Sequence, residues 1–215
     1  MFKRGSLAQL IPSVMFAAIA SAGVARTASA QQAPSPAAQP AVYPGRYPYT
    51  AADIRFITGM ISHHAQAIIM AGWAPTHSAS KSIGILCERI INAQTDEITL
   101  MQSWLKDRNQ VVPEAKPLPM KMMMDGVEHE MMMPGMLSED QMKQLDQARG
   151  TEFDRLFLTF MIQHHQGAIS MVEQLLSSPG AAQDEFVFKF QSDVYADQGT
   201  EIDRMQKMLT SLQRK

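Results

Sequence analysis

The sequence predicts an all-α protein, a four-helix bundle made of two duplicated helical hairpins with a short extra helix in the connection between them. Three observations lead there. Long proline-free stretches carry helical hydrophobic periodicity and are bounded by capping residues and proline stops. No stretch alternates apolar and polar residues with β-branched enrichment, so no strand is expected. The chain also repeats itself at an offset of 101 residues.

The first helix is expected from Thr50, an N-cap with Asp53 at the capping-box position, to Ala74, where Pro75 stops it. A second runs from Ser78 to Arg108. A short helix from Ser138 to Arg149 ends at Gly150, a C-cap residue. Thr151, with Asp154 three residues later, opens another long helix that ends before Pro179-Gly180, and the last spans Ala182 to Leu212. Repeat one is therefore 50–109, a Met-rich connection fills 110–150, and repeat two is 151–213.

Phe56, Thr58, Met60, Ile61, His63, His64, Ala67, Ile68 and Met70 recur unchanged 101 residues later, so that Met161, His164, His165 and Met171 repeat the Met/His pattern. The partner helices match at an offset of 104, where Gln94, Glu97, Ile98, Met101 and Leu105 lie over Gln198, Glu201, Ile202, Met205 and Leu209. Two amphipathic hairpins of this kind pack into a bundle with pseudo-two-fold symmetry.

Ahead of the repeats, Lys3 and Arg4 precede an apolar run and Ala28-Ser29-Ala30 supplies a small-residue cleavage site. Residues 1–30 read as a secretory signal cut near Ala30. The apolar run is too short to span a bilayer, so no membrane span is expected in the mature chain. Five prolines between Pro34 and Pro48 make 31–49 an extended tether. These segments predict a periplasmic or secreted protein. Its 16 basic residues against 21 acidic ones after cleavage argue against nucleic acid as a partner. One cysteine, Cys87, allows no internal disulfide, so the core must hold the fold.

Polar residues break the inward stripes at matching places. His63 and His64 straddle the core-facing line of Met60, as His164 and His165 do around Met161, and Gln94, Glu97, Gln198 and Glu201 interrupt the stripes of the partner helices. Burying such groups alone costs several kcal/mol, so each needs a partner. A metal ion is one; hydrogen bonding of His to Glu or Gln inside the bundle is the other. Asp53 and Asp154, each three residues after a threonine, read as capping residues.

Eight of the 18 methionines fall between Met120 and Met136, in a segment broken by Gly126, Pro134 and Gly135. Thioether sulfur is a soft, uncharged ligand that suits Cu(I) and Ag(I) and survives where a thiol would be oxidised. Met123, Met124, His129, Met132, Met133 and Met136 are candidate ligands in this segment, alongside Met60, Met70, Met101, Met161, Met171 and Met205 in the repeats. The alternative is that these methionines form an adaptable apolar strap across the bundle.

Three motifs carry a family resemblance: Met60-Ile-x-His63-His64-x-x-Ala67, Met133-Pro-Gly-Met136, and Glu152-Phe-Asp-x-x-Phe157 leading into Met161-Ile-x-His164-His165-Gln-Gly-Ala168. In these the chain resembles the domain of unknown function family 305. The resemblance implies a ferritin-like four-helix fold and an exported, non-enzymatic protein that sequesters or hands on copper. It implies Cu(I) foremost, with Ag(I) or Cu(II) as further cargo, held by Met60, His63, His64, Met161, His164 and His165. A periplasmic copper carrier or efflux component is then the expected protein partner. Gln66-Ala67 departs from Gly167-Ala168, which leaves open whether both repeats bind equally. A di-iron oxidoreductase and a metal-free interaction bundle are the competing readings, and the absence of any Glu-x-x-His weighs against the first.

Overall fold

A computed structural model describes residues 48–124 and 127–214 of the chain; within that span the side chains of 120–124, 128 and 129 are left out. The expected signal and nearly all of the tether lie outside the described residues.

Five helices carry the fold: α1 (Ala51–Gly72), α2 (Lys81–Asp107), α3 (Glu139–Gln147), α4 (Gly150–Leu176) and α5 (Glu185–Gln213). The all-α class read from the sequence is thus observed, with α1 packed along α2, α4 along α5, and the two hairpins joined through α1 against α4. No helix among the described residues is long and apolar enough to cross a membrane.

Helix α1 starts where its capping box dictates. The Thr50 hydroxyl accepts from the Asp53 N–H at 3.3 Å and the Asp53 carboxylate accepts from the Thr50 N–H at 2.6 Å. Its end comes at Gly72, before Pro75. Helix α3 is opened by a second capping box, Ser138 with Gln141. Helix α4 departs from expectation: it begins at Gly150, with Arg149 rather than Thr151 in the cap position. Asp154 is consequently free for another task, and its carboxylate accepts from the Ser80 N–H at 3.1 and 3.3 Å, at the start of α2. Asp53 does the mirror-image work, accepting from the Ala182 N–H at 2.7 Å in the loop before α5. The loops themselves repeat, since Ser78 and Ala182 both adopt a left-handed backbone, with φ of 55° and 56°.

The ends of the bundle are pinned by polar clusters. Asp184 caps α5, accepts from the Trp104 indole N–H at 2.9 Å and pairs with the Arg108 guanidinium, which lies 4.3 Å from the Trp104 ring centroid. At the opposite end, His77 bonds through Nε2 to the Asp146 carbonyl at 2.8 Å, and its own carbonyl accepts from the Gly150 N–H at 2.8 Å.

The connection corrects the expectation that the chain forms no strand. Strands β1 (Met120–Met124) and β2 (Val127–Met131) pair antiparallel, with Met124 opposite Val127 and Met120 opposite Met131. The missed signal was local. Val127, His129 and Met131 alternate with Glu128 and Glu130, and an Asp125-Gly126 pair, suited to a two-residue hairpin turn, separates the runs.

Beyond β2 the chain crosses α1 and α4 as a strap. Gln66 grips it with its carboxamide, donating to the Leu137 carbonyl at 3.0 Å and accepting from the Leu137 N–H at 2.7 Å. Gly167, at the matching position in α4, meets the strap backbone directly: a Cβ there would lie 1.9 Å from the Pro134 carbonyl oxygen, and one on Gly135, whose φ is +76°, would lie 2.7 Å from the Gly167 Cα. The Gln66/Gly167 departure from the repeat is therefore the place where one asymmetric strap is seated on a symmetric pair of helices.

Replacing Gly167 by Ala should push the strap off α4 and cost roughly 1–3 kcal/mol, as overpacking does. Gly199→Ala on α5, where an added Cβ meets nothing within 4 Å, should instead leave stability unchanged or raise it by about 0.5–1 kcal/mol. Urea unfolding midpoints of the two variants read the contrast.

Candidate metal centre

Four imidazoles meet where α1 packs on α4. His63, His64, His164 and His165 are each no more than 1% exposed. Adjacent positions on a helix are about 100° apart, so each His-His pair sends one ring toward the opposite long helix and the other toward its own hairpin partner. His63 and His164 take the inner positions, with ring centroids 3.8 Å apart and planes tilted by 38°. His64 and His165 take the outer ones, bonded through Nε2 to Glu97 at 2.5 Å on α2 and to Glu201 at 2.7 Å on α5.

The expected alternative of His–Glu hydrogen bonding is thus realised for the outer pair, but it accounts for one nitrogen of each ring. His63 Nε2 faces the Pro134 carbonyl at 3.1 Å. A carbonyl only accepts, so Nε2 carries the proton, and Nδ1 of the neutral ring holds a bare lone pair. That Nδ1, the Nδ1 atoms of His64 and His165, and both ring nitrogens of His164 are buried without a hydrogen-bond partner. An unmet buried polar atom costs on the order of 1–3 kcal/mol. Five of them around one helix contact are the chemistry of a donor set, since imidazole lone pairs suit late transition metals.

Burial holds both inner histidines neutral. It is the largest cause pulling His63 down to about 3, reinforced by the His64 and His165 charges and opposed by the Pro134 hydrogen bond. His164 is held well below its ordinary value for the same first reason, with the other three rings adding to it; the nearby His63 carbonyl pulls the other way without completing a hydrogen bond. A neutral imidazole is the form that coordinates a cation.

The candidate thioethers divide between two halves of the core. Met60, Met101 and Met171 pack in one half together with the strap residues Met133 and Met136. Met70, Met161 and Met205 pack in the other. Met60 and Met70, expected on one histidine pair, are therefore separated, and each half instead combines methionines from both repeats. Met132 is 43% exposed beside an apolar groove that Met131, Met133, Met171 and Phe56 also line. Met123, Met124 and His129 lie on the ribbon, with side chains outside the described residues. Gln94 and Gln198 are buried, as their places in the stripes require, and their Oε1 atoms have no partner. No three His, Cys, Asp or Glu side chains among the described residues already stand at ligating distance from one point. Cys87 is buried, and desolvation pushes its thiol up to about 12, which makes it an inert neighbour.

A family model for the domain of unknown function DUF305 matches residues 53–209. Similar solved structures include a DUF305 protein from Streptomyces coelicolor, 24% identical over 75% of this chain and 93% of that one, with a TM-score of 0.63. A DUF305 fragment from Deinococcus radiodurans is 26% identical over 76% and 98%, with a TM-score of 0.62. CopM in its Cu(I)-bound form is 27% identical over 74% and 96%, with a TM-score of 0.55, and CopM is also solved with Cu(II) and with Ag. No curated protein matches the chain.

Two histidines with lowered values make the metal-free protein acid-sensitive. The unfolded chain takes up protons on them near pH 6.5 while the folded chain does not, so stability is complete above that pH and falls as pH drops toward 3. Between pH 6.5 and 5 the slope contributed by the pair should climb from about 1.4 toward about 2.7 kcal/mol per pH unit. Urea midpoints measured across that window should flatten in His63→Phe/His164→Phe; an unchanged slope in the double variant contradicts the assignment.

Proposed function

The chain belongs to the DUF305 family, and from that premise we propose that it is an exported protein that binds Cu(I) through buried imidazole and thioether groups, for sequestration or transfer. Ag(I) and Cu(II) are further cargo. The observation that carries this reading is the pair of unpartnered ring nitrogens on His164, whose ring lies 3.8 Å from that of His63, whose Nδ1 is equally bare. Thioethers of Met133 and Met136 are brought to the same helix pair by the strap, and Met60, Met101 and Met171 share their half of the core. His64 and His165, steadied by Glu97 and Glu201, complete the imidazole set. CopM, similar in fold at 27% identity, is a protein solved with Cu(I), Cu(II) and Ag.

Export follows from the leader read over residues 1–30, with 31–49 as a tether and 50–213 as the metal-binding body. In an oxidising compartment a soft cation needs sulfur that does not form disulfides, and thioether meets that need. The partner that delivers or receives copper is expected to be another exported carrier or an efflux component.

One observation favours the metal-free bundle instead: both outer histidines already have carboxylate partners. Titration of the mature protein with Cu(I) against a chromogenic chelator separates the two. Copper should be withdrawn from the chelator, and His164→Leu and Met133→Leu/Met136→Leu should each weaken binding about tenfold or more, equivalent to ~1.4 kcal/mol. Cu(I) and Ag(I) should also raise the melting temperature, because they bind the folded chain alone. A wild-type protein that neither competes for Cu(I) nor gains thermal stability from it is a metal-free bundle.

A further inference from the structure

Helices α2 and α5 are not in close contact along their middles. Between them lies a cleft of about 200 Å³ lined by Gln94, Glu97, Asp197, Gln198 and Glu201, with Arg89 as its one lining cation. Three of these groups are carboxylates, and they crowd one another. Asp197 is held above its ordinary range by partial burial first, then by the charges of Glu97, Asp193 and Glu201.

Acidic side chains alone would make only a solvated face, but the cleft has a second feature. Gln94 and Gln198 are 3% and 5% exposed, and each has an Oε1 with no hydrogen-bond partner. They occupy matching positions in the two repeats, 104 residues apart. Two buried carboxamide oxygens are thus left without a hydrogen-bond donor beside a basin whose other polar lining is three carboxylates, Arg89 and Thr200. Glu97 and Glu201 are oriented from behind by the Nε2 atoms of His64 and His165, which is how outer imidazoles orient carboxylate ligands in metal sites.

We propose that this cleft is a second cation site, in which a hard divalent ion of the Mn²⁺ or Ca²⁺ class is held, largely through its own water shell, by the oxygens of Gln94, Glu97, Asp197, Gln198 and Glu201. The site is distinct from the copper site in the core, since its donors are oxygen and it opens to solvent between α2 and α5, and the two adjoin through the His64–Glu97 and His165–Glu201 bonds. Hard divalent ions accept six or more oxygen ligands and keep water where protein ligands run short. A basin that is wider than a closed cage accommodates such a partly hydrated ion. Two elements that touch weakly would be bridged by it, so the bound ion ties the free edges of the two hairpins together.

Mn²⁺ titration of the copper-free mature protein, followed by loss of the free-ion electron paramagnetic resonance signal, tests this. One Mn²⁺ should bind per chain, Ca²⁺ should compete, and the melting temperature should rise with Mn²⁺. Asp197→Asn, at an exposed position, should weaken binding about tenfold without affecting the fold. Gln94→Leu/Gln198→Leu removes two oxygens and no charge, and it should weaken Mn²⁺ binding. Absence of saturable Mn²⁺ binding overturns the proposal. So does binding that is indifferent to Gln94→Leu/Gln198→Leu but vanishes in 0.5 M salt (roughly a 4 Å screening length), for that is a diffuse ion atmosphere.

Discussion

Everything in the centre of this molecule answers to one constraint: four imidazole rings are buried where two long helices touch. A helix contact of this kind is ordinarily made of Leu, Ile and Ala, whose packing needs no partner. Here the same volume is filled by rings that each carry two polar nitrogens, and the surrounding elements are arranged to meet as many of these as geometry allows. Glu97 and Glu201 reach in from the outer helices to the outer rings, and the strap supplies a carbonyl to His63. His164 is left over. The polar demand thus exceeds what the polypeptide provides.

The strap makes the two halves of a duplicated protein structurally unequal. A pseudo-two-fold pair of helices presents two equivalent surfaces, but one connecting segment can cover only one arrangement of them. The outcome is written into a single pair of positions. Gln66 supplies hydrogen bonds to the strap where Gly167 supplies room for it. With the strap come two further methionines on one side of the core, so the fully buried thioethers among the described residues are five on one side and three on the other, where Met142 and Met208 pack half-buried. Symmetric scaffolds with an asymmetric cover can in this way offer two environments of different softness within one fold.

Much of this was legible in the residues. The repeat, the helix boundaries to within a few positions, and the buried His-His pairs all follow from periodicity and capping, because those signals are local and act within one or two turns. Apart from the ribbon, what the residues did not reveal is decided across the chain. Asp154 reads as a cap for its own helix, yet its carboxylate serves the start of α2, a contact between residues 74 apart. Which methionines share a half-core depends on how α1 crosses α4, and no spacing within either helix encodes that. The ribbon at 120–131 was overlooked because a run of methionines hides alternation on one strand, although the Asp-Gly pair and the Val-Glu-His-Glu-Met pattern of the other strand were in plain view.

The crossed contacts at the two loops give the two hairpins a reciprocal hold on each other. Asp53 of the first hairpin holds the loop of the second, and Asp154 of the second holds the loop of the first. A lone hairpin would present its aspartate to empty space and leave its own loop amide unclaimed. Two copies about a dyad meet both demands at once, through an isologous interface in which the same patch serves as giver and receiver. The chain thus carries within one polypeptide the reciprocal contacts of an isologous dimer, and its linker is what departs from that symmetry.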